Sequence, residues 1–284
     1  MKPLDISREE KLANYIVRVL VNDTNPINIL LQEKLLNPPS SQEEEENQPK
    51  ININTRFMQQ LSFINRSAEV IEAYEVSTKY LYKEFPPVIP PWRVQNIQQC
   101  DDLIKNSKKM IPENSLKMIF QHHLESHKSR EECILYTDGS KTSSGTAYAV
   151  TRLRPPYAKA QKLQDSASVY TAELTAILSA VHHLSDVPED TIAIVSDSRS
   201  SIQALSSLKS KCPLVNEIRS LCHRKEKNYF LCWAPSHVGI VGNEQADRLA
   251  NKATKKLIRI GSNVTRSDSK SRIKFKMKER WRHR

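Results

Sequence analysis

Three consecutive strand-like segments, followed by alternating helical and strand patterns, are the feature that most restricts the fold of this chain. Cys133–Thr137 is a short apolar run typical of a buried strand, and Gly145–Leu153 and Ala158–Leu163 follow it across turn residues. The pattern of residues 131–258 predicts the order βββαβααβα. A meander followed by crossovers predicts a mixed, five-stranded α/β sheet with helices on both faces.

The elements after the meander are placed by apolar periodicity and by residues that favour helix starts. Ser168 or Thr171 is expected to cap the first long helix, and Asn243 the last one. The predicted segments are a helix containing Leu174–Leu184, strand Thr191–Ser196, helices Ser198–Leu208 and Leu214–Lys225, strand Tyr229–Trp233 and helix Asn243–Ile258.

Composition divides the chain into three regions. Residues 1–130 are predicted to be helical and irregular, with an acidic linker near 37–50, and residues 131–258 form the α/β domain. Residues 259–284 are a basic tail, in which Ile273, Met277 and Trp281 recur every four residues. The tail is therefore either a helix that docks through one edge or a disordered segment. No self-sufficient core is expected in residues 1–130, so a packing partner for that region is expected to be missing.

The positive charge of the chain is concentrated at its C-terminal end. The net charge is +11, and Lys252 onward holds 13 of the 43 Lys and Arg but 2 of the 32 Asp and Glu. The residues before Lys252 therefore hold 30 residues of each sign and have a net charge of zero. A concentrated basic segment favours polyanions, of which nucleic acid is the most common. A solvated tail or a localisation signal is the alternative.

Four carboxylates lie at predicted strand ends or helix starts: Asp138, Glu173, Asp197 and Asp247. Asp138 and Asp197 are expected directly after two strands between which the strand order reverses, and sites form in that crevice in open α/β sheets. Acidic groups placed together repel one another unless a hard cation neutralises them. The cluster predicts a Mg²⁺ site, and two ions there favour phosphodiester chemistry. Taken singly, each residue is more often a cap, a turn former or a partner of the helix dipole.

The compartment is predicted from cysteine usage and hydropathy. The five cysteines form no C-x-x-C pair, which favours reduced thiols in a cytoplasmic or nuclear protein. The sequence contains no run of about 18 apolar residues, so no membrane-spanning helix is expected. Asp5, Glu9 and Glu10 interrupt the segment where a signal peptide needs an apolar run. The protein is expected to be intracellular, not secreted, with no membrane partner.

Each of the four carboxylates lies in a longer motif. The motifs are Tyr-Thr-Asp-Gly-Ser-Lys at 136–141, Tyr-Thr-Ala-Glu-Leu-Thr-Ala-Ile at 170–177, Ser-Asp-Ser-Arg-Ser-Ser-Ile-Gln-Ala-Leu at 196–205, and Trp-Ala-Pro-Ser-His-Val-Gly-Ile-Val-Gly-Asn-Glu-Gln-Ala-Asp-Arg-Leu-Ala at 233–250. In this order they resemble type 1 ribonuclease H, in the version fused to reverse transcriptases of non-LTR retrotransposons of the jockey or R1 kind. The resemblance covers somewhat under half of the chain and implies the three-layer ribonuclease H fold. It also implies that the basic helical handle of cellular enzymes is absent.

The resemblance assigns roles residue by residue. It implies that Asp138, Glu173, Asp197 and Asp247 bind two Mg²⁺ ions, with Mn²⁺ as a substitute, and that His237 aids proton transfer or product release. Pro235, Gly239 and Gly242 around His237 fit a flexible loop. It implies that Gly139, Ser140 and Ser168 contact substrate, with Gly139 close to an RNA 2′-hydroxyl and Ser168 holding a DNA phosphate. Val169 departs from the polar amide of cellular enzymes beside Ser168. Trp233 stacks on a base or sugar or packs in the core; core packing is the default.

The function that follows from the resemblance is endonucleolytic cleavage of the RNA strand in RNA–DNA hybrids, leaving 5′-phosphates. Residues 85–92 and 101–105 weakly resemble the connector between polymerase and ribonuclease H, and no Tyr/Phe-x-Asp-Asp polymerase motif is present. The chain is therefore expected to be a C-terminal piece of a polyprotein, partnered by a reverse transcriptase domain. The alternative is a catalytically silent remnant that binds nucleic acid through its basic tail.

Overall fold

The computed structural model describes residues 4–36, 55–76, 78–84, 97–100, 112–126, 133–184, 191–207, 209–256 and 263–282. Its helices are α1 Leu4–Leu20, α2 Pro26–Leu36, α3 Thr55–Ala73, α4 Glu113–Ser126, α5 Val169–His183, α6 Arg199–Ser206, α7 Pro213–Arg224, α8 Val241–Thr254 and α9 Arg266–Arg282. Its strands are β1 Ile97–Cys100, β2 Ile134–Thr142, β3 Gly145–Arg152, β4 Tyr157–Lys162, β5 Thr191–Ser196 and β6 Asn228–Trp233. The predicted acidic linker at 37–50 and the connector motifs at 85–92 and 101–105 lie outside the described residues. None of the described helices has the length and apolarity needed to cross a bilayer.

The described residues form two compact units. One takes its residues from Met1–Phe85 and Asn263–Arg284, and the other from Pro86–Ser262. This division differs from the three predicted regions, because α9 belongs to the helical unit and does not form a separate tail. The predicted need for a packing partner is thus met by a segment more than 180 residues further along the chain.

The helical unit is built around α1. Helix α1 packs against α2, α3 and α9, and its apolar side buries Ala13, Ile16 and Val17 completely. Helix α9 contributes Ile273 and Met277, which are 0% and 8% exposed. A parallel bridge between Leu81 and Val264 joins the two chain segments of this unit. Docking of α9 through one edge, the first of the two alternatives for the tail, is what the structure shows.

The second unit is a mixed sheet with the order β1-β6-β5-β2-β3-β4. Strands β1, β6, β5 and β2 are parallel, and β3 and β4 extend the sheet as an antiparallel meander. The α/β fold with a mixed sheet is confirmed. The predicted count of five strands is too low, because Ile97–Cys100 adds a parallel edge strand beside β6. This four-residue segment, Ile-Gln-Gln-Cys, is too short and too polar to be recognised by its periodicity.

Helices pack on both faces of this sheet. A Cβ on Gly139 would lie 2.5 Å from the backbone nitrogen of Glu173 in α5, so β2 contacts α5 at that position. Tyr136, three residues earlier and therefore on the opposite face, contacts Gly242 of α8. Leu116 and Phe120 of α4 join the apolar cluster that includes Tyr136 and Ala246 of α8. Thus α4 and α8 share one face, and α5 covers the other.

Candidate metal and catalytic site

The site begins where β2 and β5 stop pairing. Their parallel register ends at Thr137 with Ser196, and Asp138 and Asp197 are the next residues on the two strands. Asp138 was predicted to follow its strand, but β2 continues to Thr142 because it remains paired with β3, and Asp138 lies opposite Ala149. Strand β2 therefore pairs with both β5 and β3 up to Thr137, and from Asp138 onward it pairs with β3 alone. Asp138 and Asp197 thus lie together at the point where the strand order reverses, as expected.

Asp197 is held by the neighbouring strand β6. Its backbone carbonyl accepts a 2.9 Å hydrogen bond from the indole Nε1–H of Trp233. The next amide on β6 contributes too, since Ala234 N–H donates to Ser196 O at 3.0 Å. The backbone of the β5 end is fixed in this way while the Asp197 side chain stays half-buried. Trp233 was predicted to pack in the core or to stack on substrate, and its indole is used in this contact.

Glu173 reaches the site from α5. Ser168 is the N-cap of this helix, and its hydroxyl accepts a 3.1 Å hydrogen bond from the Thr171 N–H. Glu173 is the fifth helical residue, so it lies in the second turn, and the first turn contains no acidic residue. The absence of a side chain at Gly139 lets the α5 backbone approach β2, which carries Glu173 toward Asp138.

Three carboxylates converge. One ligand oxygen from each of Asp138, Glu173 and Asp197 lies within 4.8 Å of the others. Asp138 and Glu173 are only 5% and 7% exposed. Burial, and then the charges of Asp197 and Asp247, raise the pKa of Asp138 from 3.8 to about 7. Burial, and then the charges of Asp138 and Asp197, raise the pKa of Glu173 from 4.5 to about 9. A hydrogen bond from the Gly139 backbone lowers this pKa and opposes part of the increase.

This oxygen set fits a hard divalent cation. Glu173 Oε2 is buried and accepts no hydrogen bond from any group in the described part of the chain. A buried carboxylate oxygen without a donor is costly unless a cation or a proton satisfies it. The three groups that could bind a metal are all carboxylates, and Mg²⁺ and Ca²⁺ prefer oxygen ligands of this kind. The geometry and the unsatisfied oxygen are therefore those of a group that can bind a divalent cation.

Asp247 lies beside this group of three without being part of it. It is the seventh residue of α8 and is half-buried. Its charge raises the pKa of both Asp138 and Glu173, which places it within electrostatic range. The three-residue group at 4.8 Å does not include it. The structure thus brings the four predicted carboxylates into one region, and three of them have oxygens within 4.8 Å of one another.

The start of α8 differs from the prediction. Asn243 was expected to be the N-cap, but Ile240 occupies that position without a side-chain hydrogen bond, and the helix begins at Val241. Glu244 reaches back to accept a 2.9 Å hydrogen bond from the Gly239 N–H, which supports the helix start. Asn243 is instead 2% exposed, and its Oδ1 is buried without a partner among the described residues. Burial of an asparagine at this position leaves no signal in the sequence.

His237 lies in the loop between β6 and α8. It is exposed, and its φ of 58° is a left-handed conformation that is uncommon for a residue with a side chain. Gly239, with φ 80°, completes the sharp turn. Gly242 was expected to belong to this loop, but it is helical and packs against the Tyr136 ring. The strained backbone directs His237 to the surface next to the helix that carries Asp247.

A cleft of about 310 Å³ lies elsewhere in this unit, between α4 and the first residues of α8. Its lining includes Lys117, Ile134, Tyr136 and Gly242, and none of the four carboxylates. The carboxylate group lies instead at the sheet edge, where Asp197 and Asp247 remain partly exposed.

Comparison with known proteins connects this geometry to a family. Residues 130–255 match the family model described as RNase H. The segment that this model matches, residues 130–255, is called the RNase H domain below. The match covers α5 to α8, β2 to β6 and all four carboxylates, and it excludes β1 and α4. Among solved structures, the chain is similar to RNase H1 from the halophilic archaeon Halobacterium salinarum NRC-1, with 19% identity and a TM-score of 0.33. That similarity covers 42% of this chain and 95% of the archaeal one.

The three substrate-contact residues implied by the sequence occupy different places in the RNase H domain. Gly139 lies against the α5 backbone, which gives it a packing function that the sequence did not suggest. Ser140 is half-buried in β2 opposite Ala147. Ser168 caps α5, so its hydroxyl is engaged in the helix start. Their contacts with substrate remain predictions.

Trp233 and Asn243 are the residues whose contribution to the RNase H domain was missed. Trp233 fixes the Asp197 backbone, and Asn243 places an unsatisfied oxygen inside the α8 start. An aromatic residue at the end of β6, opposite Ser196, was a usable signal for the first, because cross-strand neighbours interact. The burial of Asn243 depends on where α8 begins, and that position was predicted incorrectly.

The metal-free RNase H domain is expected to lose stability as the pH rises. The pKa of Glu173 is about 9 in the folded protein and 4.5 ordinarily. The stabilising effect of the protonated Glu173 is therefore complete below pH 4.5 and is lost as the pH rises toward 9. Glu173→Gln should therefore raise the free energy of unfolding in EDTA by about 2 kcal/mol at pH 8.5, and by little at pH 4.5. Urea unfolding across this pH range measures the difference.

The matched control for this pH prediction is Glu217→Gln, which neutralises an exposed glutamate of α7. Its effect should change little with pH. A Glu173→Gln advantage that fails to grow between pH 4.5 and 8.5, relative to that control, would contradict the raised pKa.

Proposed function

We propose that this chain is an endonuclease that hydrolyses the RNA strand of RNA–DNA hybrids and leaves 5′-phosphate ends. The observation that carries this proposal is the convergence of Asp138, Glu173 and Asp197 within 4.8 Å in an RNase H domain. Three carboxylates at the carboxyl ends of the strands would hold divalent cations, whose positive charge would attract the phosphates of a nucleic acid.

We propose that Asp138, Glu173, Asp197 and Asp247 would hold two Mg²⁺ ions, for which Mn²⁺ can substitute. When bound, such ions supply activation of the attacking water and stabilisation of the leaving oxygen in phosphodiester hydrolysis. Asp138 and Glu173 are buried, whereas Asp197 and Asp247 are half-buried. The first pair therefore defines the position of the site, and the second pair adjusts to substrate.

His237 is proposed to move a proton at the reacting phosphate or to assist product release. Its exposed position on a sharply turned loop next to α8 supports this role. Specificity for RNA is proposed to come from contacts with 2′-hydroxyl groups across the minor groove, with Gly139, Ser140 and Ser168 on the substrate side. Recognition of this kind is largely independent of sequence.

We infer a biological setting from the four sequence motifs: a retrotransposon whose reverse transcriptase makes the hybrid that this domain cleaves. A polymerase domain is the proposed partner. Cys133, Cys212, Cys222 and Cys232 form no disulfide in the described structure, which supports a reducing compartment, the cytoplasm or the nucleus.

The proposal is tested with four end-labelled duplexes of one sequence: RNA–DNA hybrid, double-stranded RNA, double-stranded DNA, and the hybrid labelled on its DNA strand. We expect the full chain to cleave only the RNA strand of the hybrid, with 5′-phosphate products, in MgCl₂ or MnCl₂. Cleavage should stop in EDTA and return when excess Mg²⁺ is restored.

Two outcomes would contradict the proposal. Equal cleavage of all duplexes would indicate a general nuclease. Binding of the hybrid without cleavage in either metal would favour the alternative of a silent nucleic-acid-binding remnant, provided that the same preparation shows the cooperative unfolding of a folded domain.

A further inference from the structure

Helix α9 has two faces with different surroundings. One face is held in the helical unit by Ile273 and Met277, which are buried. The polar residues that border this face are also engaged. Arg280 Nη1 lies 2.8 Å from Glu9 Oε2, and Lys276 Nζ lies 2.6 Å from Glu75 Oε1. Arg272 pairs with the same Glu75.

The other face is exposed along the whole helix. Its eight exposed residues, here called the basic-aromatic face, are Ser267, Lys270, Ser271, Lys274, Phe275, Lys278, Trp281 and Arg282. Four are cations at a spacing of four residues, so they form one row that is about 18 Å long. Two are aromatic, and no residue of this face is acidic.

Within the described part of the chain, no carboxylate neutralises the cations of this row. The two acidic residues of α9 are engaged elsewhere: Asp268 accepts hydrogen bonds from Thr265 at the helix start, and Glu279 pairs with Lys276. Among the described residues, no ion pair reaches Lys270, Lys274, Lys278 or Arg282, whereas the cations of the opposite face are paired. The uncompensated charge of α9 is therefore concentrated on the side that faces solvent.

The two aromatic residues of this face are both about half exposed. Phe275 is 52% exposed and Trp281 is 48% exposed, although the helix is already anchored by Ile273 and Met277. The guanidinium of Arg272 lies 5.8 Å from the centre of the Phe275 ring. Exposed rings between cations can stack on bases while the cations contact phosphates.

We propose that the basic-aromatic face of α9 binds single-stranded nucleic acid, as a second surface carried by the helical unit. A row of cations attracts any phosphate backbone, but stacking requires bases that are not paired within a duplex. An amphipathic helix on a membrane inserts its apolar side, and here that side is buried in the core of the unit. The chemistry of the exposed face therefore favours a single strand over a lipid surface.

The first test removes charge from the row. The full chain, in EDTA so that nothing is hydrolysed, is titrated into a fluorescent 20-nucleotide oligouridine while anisotropy is recorded. Lys270→Gln, Lys274→Gln and Lys278→Gln combined should weaken binding on the order of tenfold or more. The slope of log affinity against log salt should fall by about 2, since roughly 0.7 counterions are released per phosphate contact.

A charge-matched control separates the row from general attraction. Lys11→Gln, Arg18→Gln and Lys79→Gln remove three exposed positive charges from the same unit. This control should weaken binding about twofold, through the smaller net charge. Equal losses in the two triple variants would overturn the proposal.

The second test removes the rings. Phe275→Ala with Trp281→Ala should weaken oligouridine binding about fivefold or more and should change binding of a 20-base-pair DNA duplex by less than twofold. Tighter binding to the duplex, or binding to phosphatidylserine vesicles with none to oligouridine, would contradict the proposal. Because binding is measured without metal, failure here leaves the cleavage proposal intact, and loss of cleavage leaves this one intact.

Discussion

Replacement of Asp197 by asparagine is expected to reduce cleavage of the RNA–DNA hybrid on the order of 1,000-fold, equivalent to about 4 kcal/mol of transition-state stabilisation. Asp197 is one of the three carboxylates within 4.8 Å of one another, and it is more exposed than Asp138 and Glu173. An amide has nearly the same shape but lacks the charge that binds a divalent cation. Initial rates with labelled hybrid, in saturating Mg²⁺, measure the effect.

The fold should survive this substitution. The hydrogen bond from Trp233 reaches the Asp197 backbone carbonyl, which the asparagine retains. The negative charge that raises the pKa of Asp138 and Glu173 is removed, so the metal-free variant should be at least as stable as the wild type. Asp165→Asn, at an exposed acid outside the cluster, is the matched control and should retain full activity. A variant of Asp197 that keeps more than a tenth of the wild-type rate would remove this residue from the proposed catalytic group.

The carboxylate arrangement was accessible from sequence because it depends on strand order. Once the segments from Cys133 to Ser196 are assigned, the reversal of strand order places the residues after Thr137 and Ser196 at one edge. The exact end of β2 was not accessible, because Asp138 is polar and was read as a strand end. Asp138 remains in β2 because it still pairs with β3 after the pairing with β5 has ended. Sequence periodicity does not show on which side of a strand the pairing ends first.

The helical unit shows where single-segment patterns fail. Helix α1 has an apolar side, but its main partner α9 lies at the other end of the chain. The spacing of Ile273 and Met277 correctly indicated a docking edge without indicating its target. Trp281, in the same four-residue series, is 48% exposed, so periodicity alone placed the edge one turn too far. A long-range pairing between two marginal helices depends on their combined core, which no local window contains.

The two site glycines show a different limit. Gly139 and Gly242 each occupy a close contact between elements, and the sequence suggested substrate approach for one and loop flexibility for the other. At Gly242 the nearest atoms to a Cβ belong to the Tyr136 ring, at 2.3 Å. At Gly139 they belong to the backbone of α5. Interhelical and helix–strand distances of this kind are set by packing in three dimensions, so a sequence shows only that glycine is present.

Gly139→Ala is expected to destabilise the RNase H domain by about 3 kcal/mol and to abolish hybrid cleavage. The added Cβ would lie 2.5 Å from the Glu173 nitrogen and 2.9 Å from the Ala172 carbonyl carbon, and neither backbone atom can rotate away. Helix α5 must move off the sheet, which takes Glu173 away from Asp138. Urea unfolding and initial cleavage rates measure the two effects, and Ser140→Ala, at the next residue of β2, should change stability by less than about 1 kcal/mol.

A second pair of variants distinguishes backbone contact from side-chain contact as the cause. Ala172→Gly should fail to rescue Gly139→Ala, since it removes only the Cβ at 3.0 Å and leaves the two closer backbone atoms in place. Gly242→Ala should be rescued in part by Tyr136→Ala, because there the obstructing atoms belong to a ring that the second substitution removes. In a double-mutant cycle, the glycine–tyrosine pair should show a coupling of more than about 1 kcal/mol and the glycine–alanine pair little. Recovery of both stability and cleavage by Ala172→Gly would show that the Ala172 methyl, and not the α5 backbone, is what Gly139 accommodates.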